Sequence, residues 1–349
     1  MNRAQGMPPP PPPGRLANHR RRAALLMEAA SNPHRMRHLL AARAWRALRD
    51  SRSGLHRRIN FSGAHVFTDR SKGADQLLMV VAGHKPHLWP HTLPRLERFA
   101  GPGLDVCIVT PGVRVPELEA LAERAGWSVL STAENLIALA QNLAILRHPA
   151  ARWLHKVDED IVIGEGHFER LLEGYLRVQA DGRFLPGFCA PVLNVNGFSY
   201  RLFLEALGLE EAYAARFGEL RQAAAGVRAH HDGQAARWLW ERSLPFDEVA
   251  AEFASRPFGY SAVPHRFSIG AILLERDLWE QIGGFLVAPR GGLGHEEEHL
   301  CKECLEASRP AVVVHDLFAG HFSFGPQDPV MRPALDELAP GLAMERARS

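Results

Sequence analysis

Cysteine is scarce in this chain: Cys107, Cys189, Cys301 and Cys304 are the four among 349 residues. Thiols so few and scattered do not form the framework that staples a small secreted domain, so a reducing compartment is expected. No apolar run approaches the ~18 residues of a membrane span. A signal peptide would need its hydrophobic stretch where Pro8–Pro13 and Arg20–Arg22 stand. The expected location is cytoplasmic. Lysine is missing from residues 1–60, where 13 Arg face only Glu28 and Asp50, a charge of +11. The whole chain carries +2, which leaves −9 for the remainder. An acidic body without interleaved basic and aromatic residues argues against nucleic acid as a partner.

What is present describes an ordinary globular protein: 46% hydrophobic and 23% charged, long enough for one large domain with extensions. Residues 1–33, with their proline run, read as a disordered tail. Over residues 34–64 a basic helical extension is expected, with Met36, Leu40, Ala44 and Leu48 on one stripe. Arg35, Arg43, Arg46 and Arg49 lie on another face. Through residues 34–58 such a helix can meet the anionic inner membrane face or an assembly partner. The plainer alternative is a helix packed on the body with its arginines in water.

Residues 65–330 alternate between strand-like and helical patterns. Gln76–Ala82, Leu104–Thr110 and Trp127–Leu130 read as strands, with helices after each. A fourth strand carries Asp158 and Asp160. Phe184–Val195 looks extended, residues 199–255 mostly helical, and Ser268–Leu274 and Ala311–Val314 are again strands. Residues 331–349 read as a C-terminal tail. This predicts an α/β fold: a mostly parallel, doubly wound central sheet flanked by helices, with a helical insertion and a basic N-terminal extension.

In Arg152–Ile163 a strand-like run ends abruptly in Asp158-Glu159-Asp160 and then turns apolar again. Carboxylates at i and i+2 of an extended segment point the same way. They stand at a strand end, where open α/β sheets place their sites. Two hard oxygen ligands that leave most positions open suit Mg²⁺ or Mn²⁺ carrying a diphosphate. Alone, an Asp-x-Asp tripeptide is more often a solvated turn.

Its surroundings decide otherwise. Asn135, Gln141-Asn142 and Trp153–Asp160, followed by Gly270-Ala271, Arg276, Trp279–Phe285 and Glu296-Glu297, resemble nucleotide-sugar glycosyltransferases of the GT-A fold, inverting family 2. The likeness spans about residues 75–325. It departs where Ala82–Pro86 replaces a Pro-x-Tyr-Asn type loop, where Gln141 stands for Arg, and where Glu-Glu stands for Glu-Asp. The resemblance implies a GT-A-like (Rossmann-like) domain and a nucleoside-diphosphate-sugar donor, UDP-sugar favoured. It also implies a glycan or glycoconjugate acceptor and a role in polysaccharide biosynthesis. Asp160 would be the main ligand of Mn²⁺ or Mg²⁺, Asp158 would be shared with the ribose, and His321 or His315 would complete the metal site. Glu297 would be the general base, with Glu296 in reserve. His84, Lys85, Asn135, Gln141 and Asn142 would hold the nucleotide, and Lys156 a phosphate.

Four rival readings stay open. His295-Glu-Glu-Glu-His299 matches His-Glu-x-x-His, a zinc-peptidase signature, although a glycine-rich run precedes it. Cys301 and Cys304 could join those histidines in a structural zinc site. His230-His231-Asp232 could supply ligands. Outside enzymes, the chain could be a non-catalytic sugar-nucleotide-binding scaffold.

Overall fold

The computed structural model describes residues 59–218, 220–288 and 294–344. All of them belong to one contact unit, His56–Ser349. The expected tail and basic helix over residues 1–58 lie outside the described residues, and so do Gly291 to Leu293 of the glycine-rich run.

The chain opens with β1 (His65–Thr68), β2 (Gln76–Val81), α1 (Trp89–Phe99), β3 (Leu104–Pro111) and α2 (Pro116–Ala125). It continues through β4 (Ser128–Thr132), α3 (Ile137–Arg147), β5 (Trp153–Asp158), β6 (Ile161–Ile163), α4 (His167–Asp181) and β7 (Phe188–Leu193). The helical insertion follows as α5 (Ser199–Leu207), α6 (Glu210–Phe217), α7 (Arg228–His231), α8 (Gly233–Glu241) and α9 (Phe246–Ala254). β8 (Tyr260–Val263), β9 (Ala271–Glu275), α10 (Arg276–Gln281), α11 (His295–Glu306), β10 (Ala311–His321) and α12 (Asp328–Leu342) complete the fold.

The strands join in one mixed sheet of order β1-β4-β3-β2-β5-β9-β7-β10-β6, with β8 also paired to β10. β2, β3, β4 and β5 run parallel. Strands covered by helices on both faces carry continuous apolar runs, and Leu77–Val81 is one. Antiparallel pairs flank this block, with β1 on β4 at one edge and β9 inserted between β5 and β7 on the other side. Side chains alternate between two apolar layers. Leu154, Leu274 and Val313 join the larger core, while Trp153, Leu273, Val312 and Val314 join a second cluster beneath α4.

From β2 the chain goes on to β3 on one side, while β5 lies on the other. The carboxyl ends of β2 and β5 therefore flank the crevice at which open α/β sheets bind ligands. The loop after β2 is Ala82–Pro86, and the turn after β5 holds Asp158, Glu159 and Asp160.

Two elements differ from the expectation. β10 runs on to His321 instead of ending at Val314, with a register shift between Val314 and Phe318. A bulge disguises a strand by interrupting its alternation, here at His315 and Asp316. The stretch expected as a tail from residue 331 continues α12, whose Met331, Ala334, Leu335, Leu338 and Leu342 are buried. Pro333 and Pro340 inside that helix are what make its sequence read as broken. No described helix is long and apolar enough to cross a membrane.

Arg95 of α1 ties the crevice walls together. It is 1% exposed and forks onto Asp247 of α9 at 2.6 and 3.1 Å. It also donates to Ile163 O of β6 and Leu342 O of α12. Asp247 is 38% exposed, which weakens the pair, yet its loss would strand a buried guanidinium. Asp247→Ala should cost about 2–3 kcal/mol in urea-melt stability. A change below about 0.5 kcal/mol would show that the carbonyls alone hold Arg95.

Candidate active site

The backbone of the acidic turn is pinned on three sides. Asp158 N donates to Gly270 O, Glu159 N to Val81 O, and Phe322 N to Asp160 O, all within 2.9 Å. Its side chains then part company. Glu159, 6% exposed, accepts from Gly83 N at 3.0 Å, His84 N at 2.9 Å and Trp89 Nε1 at 2.6 Å. The middle residue of the Asp-x-Asp motif is thus the clamp that shapes the Ala82–Pro86 loop. The sequence reading gave it no role.

Asp160 is 6% exposed and receives Lys85 Nζ at 2.6 Å, while His321 Nε2 stands 3.6 Å away. Burial works to raise its pKa, but His321 and Lys85 override that and hold the carboxyl well below the usual range. Burial opposes the charge on Lys85 too, and Asp160 more than offsets it, so the ammonium is held above its ordinary pKa.

Asp158 sits against Lys156, whose Nζ lies 2.6 Å from Oδ1 and also donates to Ile269 O at 2.7 Å. Burial, with Asp160 and Glu296 nearby, pushes Asp158 up to about 6 against the pull of Lys156. Lys156 is 2% exposed. The structure therefore makes it an internal counter-ion rather than the phosphate ligand the sequence suggested.

Across Lys156 stands the start of α11. Glu297 accepts from Ile269 N at 3.4 Å and pairs with Arg266 at 3.2 Å. Burial raises its pKa to about 7, with Arg266 and Ile269 N–H pulling the other way. Glu296 beside it is 9% exposed. An acidic turn and a half-buried acid thus face one site through one lysine.

The remaining expected residues divide. His84 is exposed at the crevice, its Nε2 3.0 Å from Pro111 O, and Asn135 is exposed beyond β4. Asn142 does not face the crevice. Its amide bonds Asn60 O, Phe285 O, Phe285 N and Trp279 Nε1, which uses both ends of the group. Gln141 is fully buried, with no partner for Oε1 or Nε2 among the described residues. His315 is not at the site: its ring reaches Ser261 Oγ at 2.8 Å, and its backbone N–H bonds Gly259 O. The bulge in β10 separates it from His321, which alone of the two meets the acidic turn.

His321 is well supported. Nδ1 lies 2.8 Å from Val195 O, and a carbonyl only accepts, so Nδ1 carries the proton. Trp240 Nε1 holds the carbonyls of His321 and Phe322. Gly320 is required there, since a Cβ would lie 2.3 Å from the Trp240 ring. His321 Nε2 faces a carboxylate oxygen 3.6 Å off, too far for a hydrogen bond. With Nε2 unprotonated, the nitrogen and the oxygen across such a gap can serve as two ligands of one cation. A backbone carbonyl on the other ring nitrogen is the usual support of a metal-bound histidine. Among the described residues, no three His, Cys, Asp or Glu side chains form a metal cage. Mg²⁺-type ions do not need one, because they take one or two protein ligands and complete their shell with phosphate and water. Asp160 and His321, with Asp158 adjoining, fit such an ion.

His230 also comes here, stacked on Phe324 at 4.1 Å, while the edge of His321 meets the same ring at 4.4 Å. Burial, then Arg266 and His321, lower its pKa to about 4, which keeps it neutral. Asp232 caps α8. The zinc readings find no geometry. His295 is exposed, His299 Nε2 lies 3.6 Å from Glu303, and Cys301 is engaged with the Phe267 backbone.

No protein-family model matches this sequence, and no curated protein matches it. Among solved structures it is similar to the mannosyltransferase PcManGT from Pyrobaculum calidifontis, in complex with GDP-Man and Mn²⁺. The identity is 14%, over 86% of this chain and 83% of that one, with a TM-score of 0.42. The chemistry of the site is therefore argued from the chain's own residues.

Replacing Glu159 should unfasten the loop. Glu159→Ala leaves three donors without their acceptor and should cost about 2–4 kcal/mol in denaturant melts. It should also speed amide exchange at Gly83 and His84. Unchanged exchange at both would show that the loop holds its own shape.

Proposed function

We propose that this chain is a metal-dependent, inverting glycosyltransferase of GT-A type, moving a sugar from a nucleoside-diphosphate donor to a hydroxyl of a glycan or glycoconjugate. The observation that carries the proposal is the pairing of the Asp160–His321 half-site with Glu297. A cation-ready carboxylate and an acid poised near neutrality meet at the carboxyl ends of β2 and β5. UDP-sugar is the donor class that the sequence resemblance favours, and Asn135 and His84 are the crevice residues left to meet the nucleotide.

Asp160 and His321, with Asp158, would hold the divalent ion, which as a Lewis acid would stabilise charge on the departing diphosphate. Glu297 accepts the proton of the acceptor hydroxyl as that oxygen bonds the sugar carbon. The bond from that carbon to the diphosphate oxygen breaks, and its electron pair leaves with the diphosphate. Arg266 and the Ile269 N–H hold the carboxylate oriented, and Lys156 keeps Asp158 from repelling it. A base works best when its pKa is near the working pH, and burial places Glu297 there.

Asp160→Ala should abolish Mn²⁺-stimulated turnover of UDP-sugars and GDP-sugars, and full retention would move the metal elsewhere. Glu297 must be unprotonated to act, so kcat/KM should rise with pH through about 7. Glu297→Gln should cost at least about 100-fold in transfer and spare nucleotide binding. Arg266 favours the charged carboxylate, so Arg266→Gln should move the acidic limb to higher pH. A limb that stays put, or a silent Glu297→Gln, would pass the role to Glu296. On sequence alone, residues 34–58 are also proposed to contact anionic membrane or an assembly partner. Deleting residues 1–55 should then reduce sedimentation with anionic vesicles, and unchanged sedimentation would end the membrane alternative.

A further inference from the structure

Two lysines neutralise the acidic turn, and they are not equivalent. Lys156 is 2% exposed and bound twice, to Asp158 and to Ile269 O, so it cannot leave without stranding a buried ammonium. Lys85 is 31% exposed and, among the described residues, bonds Asp160 alone. Its backbone is fixed because Glu159 holds the preceding N–H groups of Gly83 and His84. The four-carbon stem above that anchor is free to swing. The oxygen it occupies, Asp160 Oδ2, is the same one that His321 Nε2 faces at 3.6 Å. One point in the crevice therefore serves both an ammonium and the ion that Asp160 and His321 fit.

We propose that Lys85 is a displaceable counter-ion, which holds the cation position on Asp160 in the empty enzyme and moves onto the donor's diphosphate when the divalent ion arrives. This rests on the glycosyltransferase reading of the site and adds an order of binding to it. Metal alone must evict a charge-assisted bond of 2.6 Å and gains nothing for the freed ammonium. Metal together with a nucleoside diphosphate supplies Lys85 with a new anion, so the two ligands bind cooperatively. Reciprocal linkage then requires each to tighten the other. Asp328, the first residue of α12, also acts on this ammonium and is held by Ser323 Oγ at 2.6 Å. It offers the lysine an anion on its way.

The test is calorimetric titration of the full chain with Mn²⁺ alone, then with UDP and with GDP at saturating Mn²⁺. Lys85→Met, Lys85→Arg and Asp160→Ala are compared with wild type. Removing the competing charge should make Lys85→Met bind Mn²⁺ alone at least ~10-fold tighter, and bind the preferred diphosphate at least ~10-fold more weakly. Lys85→Arg keeps the charge and should hold Mn²⁺ affinity near wild type. If Lys85→Met leaves Mn²⁺ affinity unchanged or weaker, or leaves diphosphate affinity unchanged, the proposal is overturned. Asp160→Ala separates the two layers. Mn²⁺ binding that it abolishes sustains the site whatever Lys85 does, whereas no Asp160-dependent Mn²⁺ binding in any variant overturns both.

Discussion

The crevice depends on one buried carboxylate that takes no part in the proposed chemistry. Glu159 is 6% exposed and has no cationic partner among its hydrogen bonds; Gly83, His84 and Trp89 supply three N–H donors instead. Several N–H donors can stabilise a buried carboxylate as a cation would. The consequence is geometric. By bonding the loop after β2, Glu159 fixes where Lys85 starts, and its backbone lies between two carboxylates that face the ligand. The strand ends at Asp158, so Glu159 and Asp160 lie in a turn that sends the middle side chain to the loop after β2.

His321 shows how a distant sheet edge completes the same site. β6 follows the acidic turn and pairs antiparallel with the end of β10, setting His321 opposite Ile161. Asn194 Oδ1 accepts the His321 N–H, Val195 O takes the ring proton, and Trp240 fastens the carbonyl. The contacts come from two separate parts of the chain, β7's exit and the helical insertion. The insertion is therefore a wall that orients one imidazole as well as a cover for the sheet.

Much of this was legible in the sequence, and the gaps have physical causes. Apolar runs punctuated by Pro and Gly located the parallel strands, because strands covered on both faces must be apolar throughout. The acidic turn stood out because charge rarely interrupts such a run. What pattern could not show was partnership across long separations. Asn142 lies in the motif that resembles a nucleotide contact, yet its four hydrogen bonds hold Asn60, Trp279 and Phe285, the last 143 residues away. Lys156 looks like a phosphate ligand until Ile269 O closes over it. His315 stayed a second candidate behind His321 because no periodicity reveals a bulge between them. Arg266 and Phe324 carried no motif at all, and His230 stood out only as part of His230-His231-Asp232.

Charge accounting explains why these residues are arranged as they are. Three acids of the site each have one cation: Asp158 with Lys156, Asp160 with Lys85, and Glu297 with Arg266. The cations differ in freedom, at 2%, 31% and 35% exposed. A buried lysine between two acids cannot answer to a ligand. It sets a constant positive background beside Asp158 and Glu297. The two half-exposed cations stand where a ligand can reach them, one on the donor's side and one beside the base. A charged ligand that pairs with either must release the carboxylate beneath it, so binding and the state of the reacting groups are joined by the same ions. On the proposed reading, this internal pairing is exchanged for pairing with substrate as the chemistry begins.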